Sequence, residues 1–260
     1  MDLGTRTPLL ESFKRGEAPQ EVRLAAAQGG LAPRAVDQIE LLIMLHADSD
    51  ADVVAAAQRT VARLAPSAVA DVLARPEASP EARAFFAERG ILPAAASTAN
   101  PDLPLIDTED LPESLEDESL PEEERKASTL QRIASMNVSK RIALAMKGTR
   151  EERGILIRDP NRIVTSAVLS SPKMSDSEIA SIARMANVSD DVLRTICHNR
   201  GWLKNYSVAL SLTKNPKTPV ALSLNLLNRL SEKDLRMLST DRNVPDALRV
   251  SARKKIVFDK

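Results

Sequence analysis

The chain has 260 residues, with 36 Lys/Arg balanced by 36 Asp/Glu, 43% hydrophobic residues and only 2% aromatics. That composition excludes a wholly disordered chain and leaves a core of Ala, Leu, Ile, Val and Met, the material of closely packed helices rather than of strands. No run approaches the ~18 apolar residues of a membrane span, MDLGTRTPLLESFKRGEAPQ lacks the pattern of a signal peptide, and a lone Cys197 excludes an intramolecular disulfide, so an all-α cytoplasmic protein is expected.

The balanced charge is sorted along the chain. Residues 1–92 carry 10 Lys/Arg and 13 Asp/Glu, residues 93–125 carry 1 and 11, and residues 126–260 carry 25 and 12. Sorting on this scale creates a field that steers partners and argues for binding.

The first block repeats itself at an offset of 60: Glu17/Glu77, Ala18/Ala78, Glu21/Glu81, Arg23/Arg83, Ala27/Ala87, Gly30/Gly90 and Pro33/Pro93 match. A middle copy aligns Ala55, Ala56 and Ala57 with Ala25, Ala26 and Ala27, which sets a unit of about 30 residues. Breaks at Pro19, Pro33, Asp48 to Asp52, Pro66 and Pro80 leave room for two short helices per unit. Such a hairpin cannot bury its apolar face alone, so stacking into a solenoid over residues 1–92 is expected.

Residues 93–120 combine prolines and acids with little apolar periodicity. They read as a disordered, charge-extended linker.

Residues 121–260 open with an entry helix near Glu122 to Met136 and continue as a second ladder marked by Asn137, Asn161, Asn187, Asn215 and Asn243. Asparagine satisfies the free N–H groups of a helix start and tolerates the geometry that ends one, so each interval should hold a helix pair, ten short helices in all. Thr149 with Glu152 and Ser175 with Glu178 have capping-box spacing; Thr218 precedes Pro219 at an expected first-turn position.

LHADSDADVVAAAQRTVARLAP and VALSLTKNPKTPVALSLNLLNRL resemble bacterial HEAT-like repeats and, more specifically, leucine-rich-repeat-variant units. NPKTP with Leu222, Leu226 and Leu230 is the closest local match. The resemblance implies a right-handed α-solenoid that binds other macromolecules. Some leucine-rich-repeat-variant proteins carry a cysteine-ligated iron–sulfur cluster, which a lone Cys197 does not provide, so no cofactor is expected.

Little in the chain suggests a reaction. Asp48, Asp50 and Asp52 begin like a calcium loop, but Val53 stands where glycine is needed and Arg59 where a bidentate glutamate is needed. Acids at a helix start fit better. Adjacent Cys197 and His198 point about 100° apart on a helix, His46 is the only other histidine, and no Gly-rich phosphate loop occurs. A groove enzyme like the helical-repeat DNA-repair glycosylases is the weakest reading, because no catalytic equivalents are assignable.

Binding has more candidates. Trp202 and Tyr206, four apart, are expected on one helix face with Arg200, Lys204 and Lys214 nearby, where they either fill a repeat junction or anchor a partner. Arg158 and Arg184 lie three residues before Asn161 and Asn187, and Lys214 and Arg242 one before Asn215 and Asn243. These four either form a basic stripe or cap helix C-termini. The leading expectation is therefore a non-catalytic scaffold whose basic C-terminal module binds an acidic protein surface. The alternative is a nucleic-acid-binding solenoid. The acidic linker is a candidate internal competitor for the basic surface.

Overall fold

The computed structural model describes residues 7–32, 34–96, 100, 103–106 and 122–258. Among them are sixteen α-helices, two 3-10 turns and no strand, and no helix is long and apolar enough to cross a membrane. The chain forms two compact units, Thr5–Lys173 and Met174–Lys260. This boundary does not follow the charge blocks.

The larger unit starts with six helices: α1 (Pro8–Lys14), α2 (Gln20–Ala27), α3 (Ala35–Leu45), α4 (Ala51–Arg63), α5 (Pro66–Leu73) and α6 (Pro80–Ala87). Helices α2 and α6 begin 60 positions apart, as the sequence offset requires. Pro66 and Pro80 occupy first helical positions, where a missing N–H costs nothing. Ile39 and Leu42 of α3, Val69, Val72 and Leu73 of α5, and Ala82 and Phe86 of α6 share one buried cluster. Each large side chain buried there contributes about 1.5–3 kcal/mol.

After the acidic segment come α7 (Glu122–Ser135), α8 (Val138–Lys147), α9 (Arg150–Leu156) and α10 (Arg162–Ser170). Thr149 and Glu152 form the expected capping box, and Glu152, 1% exposed, also pairs with Arg132 of α7. Gly148 is the residue after α8, and a side chain there would run into the Leu144 carbonyl and the Glu152 carboxylate. Helix α10 packs on both α8 and α1. The α1 contact is specific: the Leu9 N–H donates to Ser170 Oγ (2.9 Å) and Ser12 Oγ donates to Ser166 Oγ (3.0 Å). Helices from the acidic and basic charge blocks thus share one core, because α1 carries Leu9, Leu10 and Phe13 on a face that α3 covers only in part.

Only part of the segment expected to be a linker, residues 93–120, is described. Residues 97–99, 101–102 and 107–120 lie outside the described residues, but Ala94 and the stretch 103–106 are held against the helices. The Ala94 N–H donates to the Ala70 carbonyl (2.9 Å), and the Leu103 carbonyl accepts from the Ala35 N–H that opens α3 (3.0 Å). Leu105 and Ile106 pack against the buried cluster. An apolar pair buried against a preformed core, with its backbone hydrogen-bonded, offsets the entropy that the surrounding acids and prolines would otherwise keep.

The smaller unit contains α11 (Asp176–Arg184), α12 (Asp190–His198), a 3-10 turn (Trp202–Lys204), α13 (Tyr206–Lys214), α14 (Val220–Leu226), a second 3-10 turn (Leu227–Arg229), α15 (Glu232–Leu238) and α16 (Asp246–Phe258). From residue 138 onward there are nine α-helices and two 3-10 turns where ten helices were expected. Helix α11 packs on α13, and α16 packs on α14 and α15 over Leu227, Leu235, Leu238, Val244 and Leu248.

Candidate interaction surfaces

Three turns set the surface of the smaller unit. Met185–Ser189, Asn215–Pro219 and Asp241–Pro245 have the same local form and lead into α12, α14 and α16. In each, the fourth residue is buried: Val188, Thr218 and Val244. Structural register therefore matches Asn215 with Met185 and Asp241, two positions away from the alignment by residue type.

The asparagines do different work. Asn137 and Asn161 cap α8 and α10, accepting from the Lys140 and Ile163 N–H groups. Asn187 and Asn243 lie exposed in turns, and Ser189 caps α12 instead. Asn215 is buried; its amide donates to the Ala183 (2.8 Å) and Met185 (2.9 Å) carbonyls at the end of α11, and its oxygen accepts from the Lys217 N–H (3.0 Å). It joins neighbouring helix ends. Pro219 is the residue before α14, so Thr218 lies one step further out than expected.

The shifted register rearranges the cations. Arg184 and Lys214 are equivalent, each the last residue of its helix, while Arg242 sits in a turn two positions later and Arg158 belongs to the larger unit. The Arg184 Nε–H donates to the Ala180 carbonyl (3.3 Å), the helix-end role open to such a residue. Arg158, Arg184, Arg200, Lys204 and Arg242 are exposed and Lys214 is half-buried.

Trp202 and Tyr206 do not share a helix face. Asn199 Oδ1 accepts from the Gly201 (2.9 Å) and Trp202 (3.2 Å) N–H groups, which folds 202–204 into a 3-10 turn. Asn205 then accepts from the Ser207 N–H and starts a new helix at Tyr206. Two local asparagine caps override the four-residue spacing. Trp202 is half-buried; Tyr206 is 43% exposed, and its hydroxyl donates to Asp234 and accepts from the Ser231 N–H (3.1 Å) at the start of α15. The Tyr206 hydrogen bond, helped by Ser231 and by Lys214 and Lys233, holds the Asp234 carboxyl below the usual range.

The remaining chemical candidates are placed as follows. Asp50 caps α4 by accepting from the Asp52 (2.9 Å) and Val53 (3.3 Å) N–H groups, while Asp48 accepts from the Asp50 N–H and pairs with Arg23 at 3.0 Å. Burial pushes the Cys197 thiol up to about 11, which keeps it protonated at neutral pH. His198 is exposed and its Nδ1 lies 2.7 Å from the Arg194 carbonyl of its own helix. Among the described residues no group of three or more His, Cys, Asp or Glu is placed to hold a metal ion.

Sequence reasoning missed Gln38. It lies on α3, 1% exposed among apolar neighbours, and is hydrogen-bonded to the seated part of the acidic segment. The signals were a polar amide inside the apolar run AVDQIELLIML and an apolar pair, Leu105-Ile106, inside an acidic run.

Compared with known protein families, curated proteins and solved structures, the chain matches none.

Proposed function

We propose that this chain is a non-catalytic interaction scaffold of the HEAT-like or leucine-rich-repeat-variant kind, acting in the cytoplasm, whose smaller unit binds an acidic protein surface. The observation that carries the reading is the exposed cationic surface of Met174–Lys260, a segment with 15 Lys/Arg against 9 Asp/Glu. Recurrent turns ahead of α12, α14 and α16 support a repeat scaffold, since equivalent turns present equivalent positions to a partner. Trp202 beside Arg200 and Lys204 supplies the mixture of aromatic and cationic side chains found at interface anchors.

The test uses the full chain as bait, with cross-linking to map captured proteins, and a variant carrying Arg184→Glu and Lys214→Glu. Capture that maps to residues 184–214, weakens as salt rises and is lost in the variant is expected. Capture unchanged by charge reversal would overturn the reading. Tight binding of labelled RNA or DNA at low salt, lost in the same variant, would replace it with the nucleic-acid reading.

A further inference from the structure

One face of α3 borders a cavity. Glu40, Ile43 and Met44 stand three and four residues apart, so they share that face, and all three are half-buried. They line a space of about 550 Å³, within the ~300–1,000 Å³ typical of small-molecule sites. Helices α1 and α6 both pack on α3 and contribute to the lining, α1 through Phe13 and Lys14 and α6 through Glu81. Arg23 of α2 and Asp48 of the turn after α3 complete its charged groups.

Those charges are only partly spent. Arg23 and Asp48 lie 3.0 Å apart and offset each other. Lys14 and Glu81 are exposed and have no ionic partner among the described residues. Glu40 Oε1 accepts only the Ser79 N–H, at 3.3 Å, beyond the usual range for such a bond, and Glu40 Oε2 accepts nothing. A half-buried carboxylate in that state keeps most of its capacity for a charged donor, and charge-assisted bonds are the strong ones.

The unmatched groups are sorted by helix. The free cation belongs to α1 and the free carboxylates to α3 and α6, while Phe13, Ile43 and Met44 add apolar surface to the same space. Glu40, Asp48 and Glu81 all border the cavity, yet among the described residues no group of three acids is placed to hold a metal ion. Carboxylates spread in this way suit an ammonium, which directs its three N–H bonds apart. The lone Lys14 calls for an anionic group on the same ligand. In a free α-amino acid the two charges share one carbon, whereas charges supplied by separate helices match the wider spacing of a dipeptide.

We propose that this cavity binds a small apolar zwitterion of dipeptide size. Glu40 and Glu81 hold its ammonium, Lys14 holds its carboxylate, and its side chains lie over Ile43 and Met44. The site belongs wholly to Thr5–Lys173 and does not depend on the scaffold reading.

The experiment is isothermal titration calorimetry of the full chain with leucyl-leucine, its N-acetyl form, its C-terminal amide and free leucine. Saturable binding of leucyl-leucine is expected, with acetylation, which removes the ammonium, weakening it about ten-fold or more. Glu40→Gln should weaken the free dipeptide to the same degree and leave the acetylated one unchanged. Lys14→Met should weaken the free dipeptide and leave the amide unchanged. Absence of saturable binding up to about 10 mM would overturn the proposal. So would an acetylated peptide that binds as tightly as the free one, leucine that binds as tightly as the dipeptide, or a folded Glu40→Gln chain with unaltered affinity. Circular dichroism checks the fold of each variant. Should Glu40→Gln unfold the chain, Glu81→Gln, at an exposed position, is read by the same criterion.

Discussion

The two units weight their polar contacts differently. Thr5–Lys173 buries Ser12, Asp37, Gln38, Glu152 and Arg153, and three of these meet partners distant in sequence: Ser12 with Ser166, Glu152 with Arg132 and Gln38 with Ile106. Met174–Lys260 keeps most of its charges outside and pairs them locally, as in Arg194–Asp190, Arg236–Glu232 and Arg249–Asp246. Contacts distant in sequence occur there too: Tyr206 meets Asp234, and the buried Asn215 amide ties the end of α11 to the turn after α13. Long-range buried polar contacts specify which helices meet, whereas local surface pairs add little to stability and leave charge free for a partner.

That contrast can be broken most forcefully at Arg132. Arg132→Ala strands the buried Glu152 carboxylate, and a loss of about 3–5 kcal/mol is expected in urea unfolding of the full chain. Adding Glu152→Gln should recover part of the loss, since a neutral amide tolerates burial better than an unpaired charge. Asn215→Ala should cost about 1–3 kcal/mol, because the Ala183 and Met185 carbonyls lose their donor.

Asp37 tests the same contrast through pH. Burial raises its pKa, opposed by the hydrogen bond and charge of Arg34 at 2.8 Å. Folded Asp37 therefore holds its proton to higher pH than unfolded Asp37, so its contribution is fullest below the ordinary carboxylate range and is lost as pH rises through the raised folded value. Stability measured from pH 3 to 7 should show this fall, and Asp37→Asn should flatten it.

The smaller effects belong to the surface. Arg236→Ala removes an exposed pair, and a change within about 0.5 kcal/mol is expected by the same urea assay. Tyr206→Phe should move the Asp234 pKa up toward the ordinary carboxylate value, read by NMR titration of the carboxyl carbon. The stability that Asp234 contributes is present above its unfolded pKa and lost as pH falls through the depressed folded value. Removing the Tyr206 hydroxyl should diminish that loss.

Helices were legible because their signals are local. Proline at first positions and Asp50, Asn137, Thr149 and Asn161 at caps all act within a turn or two of the residues that carry them. The all-α fold followed from those signals. What failed depended partly on geometry between helices and partly on competing local caps. Asn215 has the residue type of its ladder neighbours but is shifted by two positions, because burial of Val188, Thr218 and Val244 sets the register. Trp202 and Tyr206 have helical spacing, yet the Asn199 and Asn205 caps cut the helix between them. Charge likewise misled the reading of the acidic segment, where two apolar residues outweigh their surroundings for as long as Gln38 holds their backbone.

The bond from Leu9 to Ser170 joins residues 161 positions apart. During synthesis the first six helices leave the ribosome well before α10 exists, and at roughly 5–20 residues per second the wait from residue 92 to residue 170 lasts about 4–16 s. Throughout that interval the face of α1 that carries Leu9 and Phe13 lacks its α10 partner. Until α10 emerges, the apolar face of α1 has only α3 for cover, which leaves it open to capture by a chaperone.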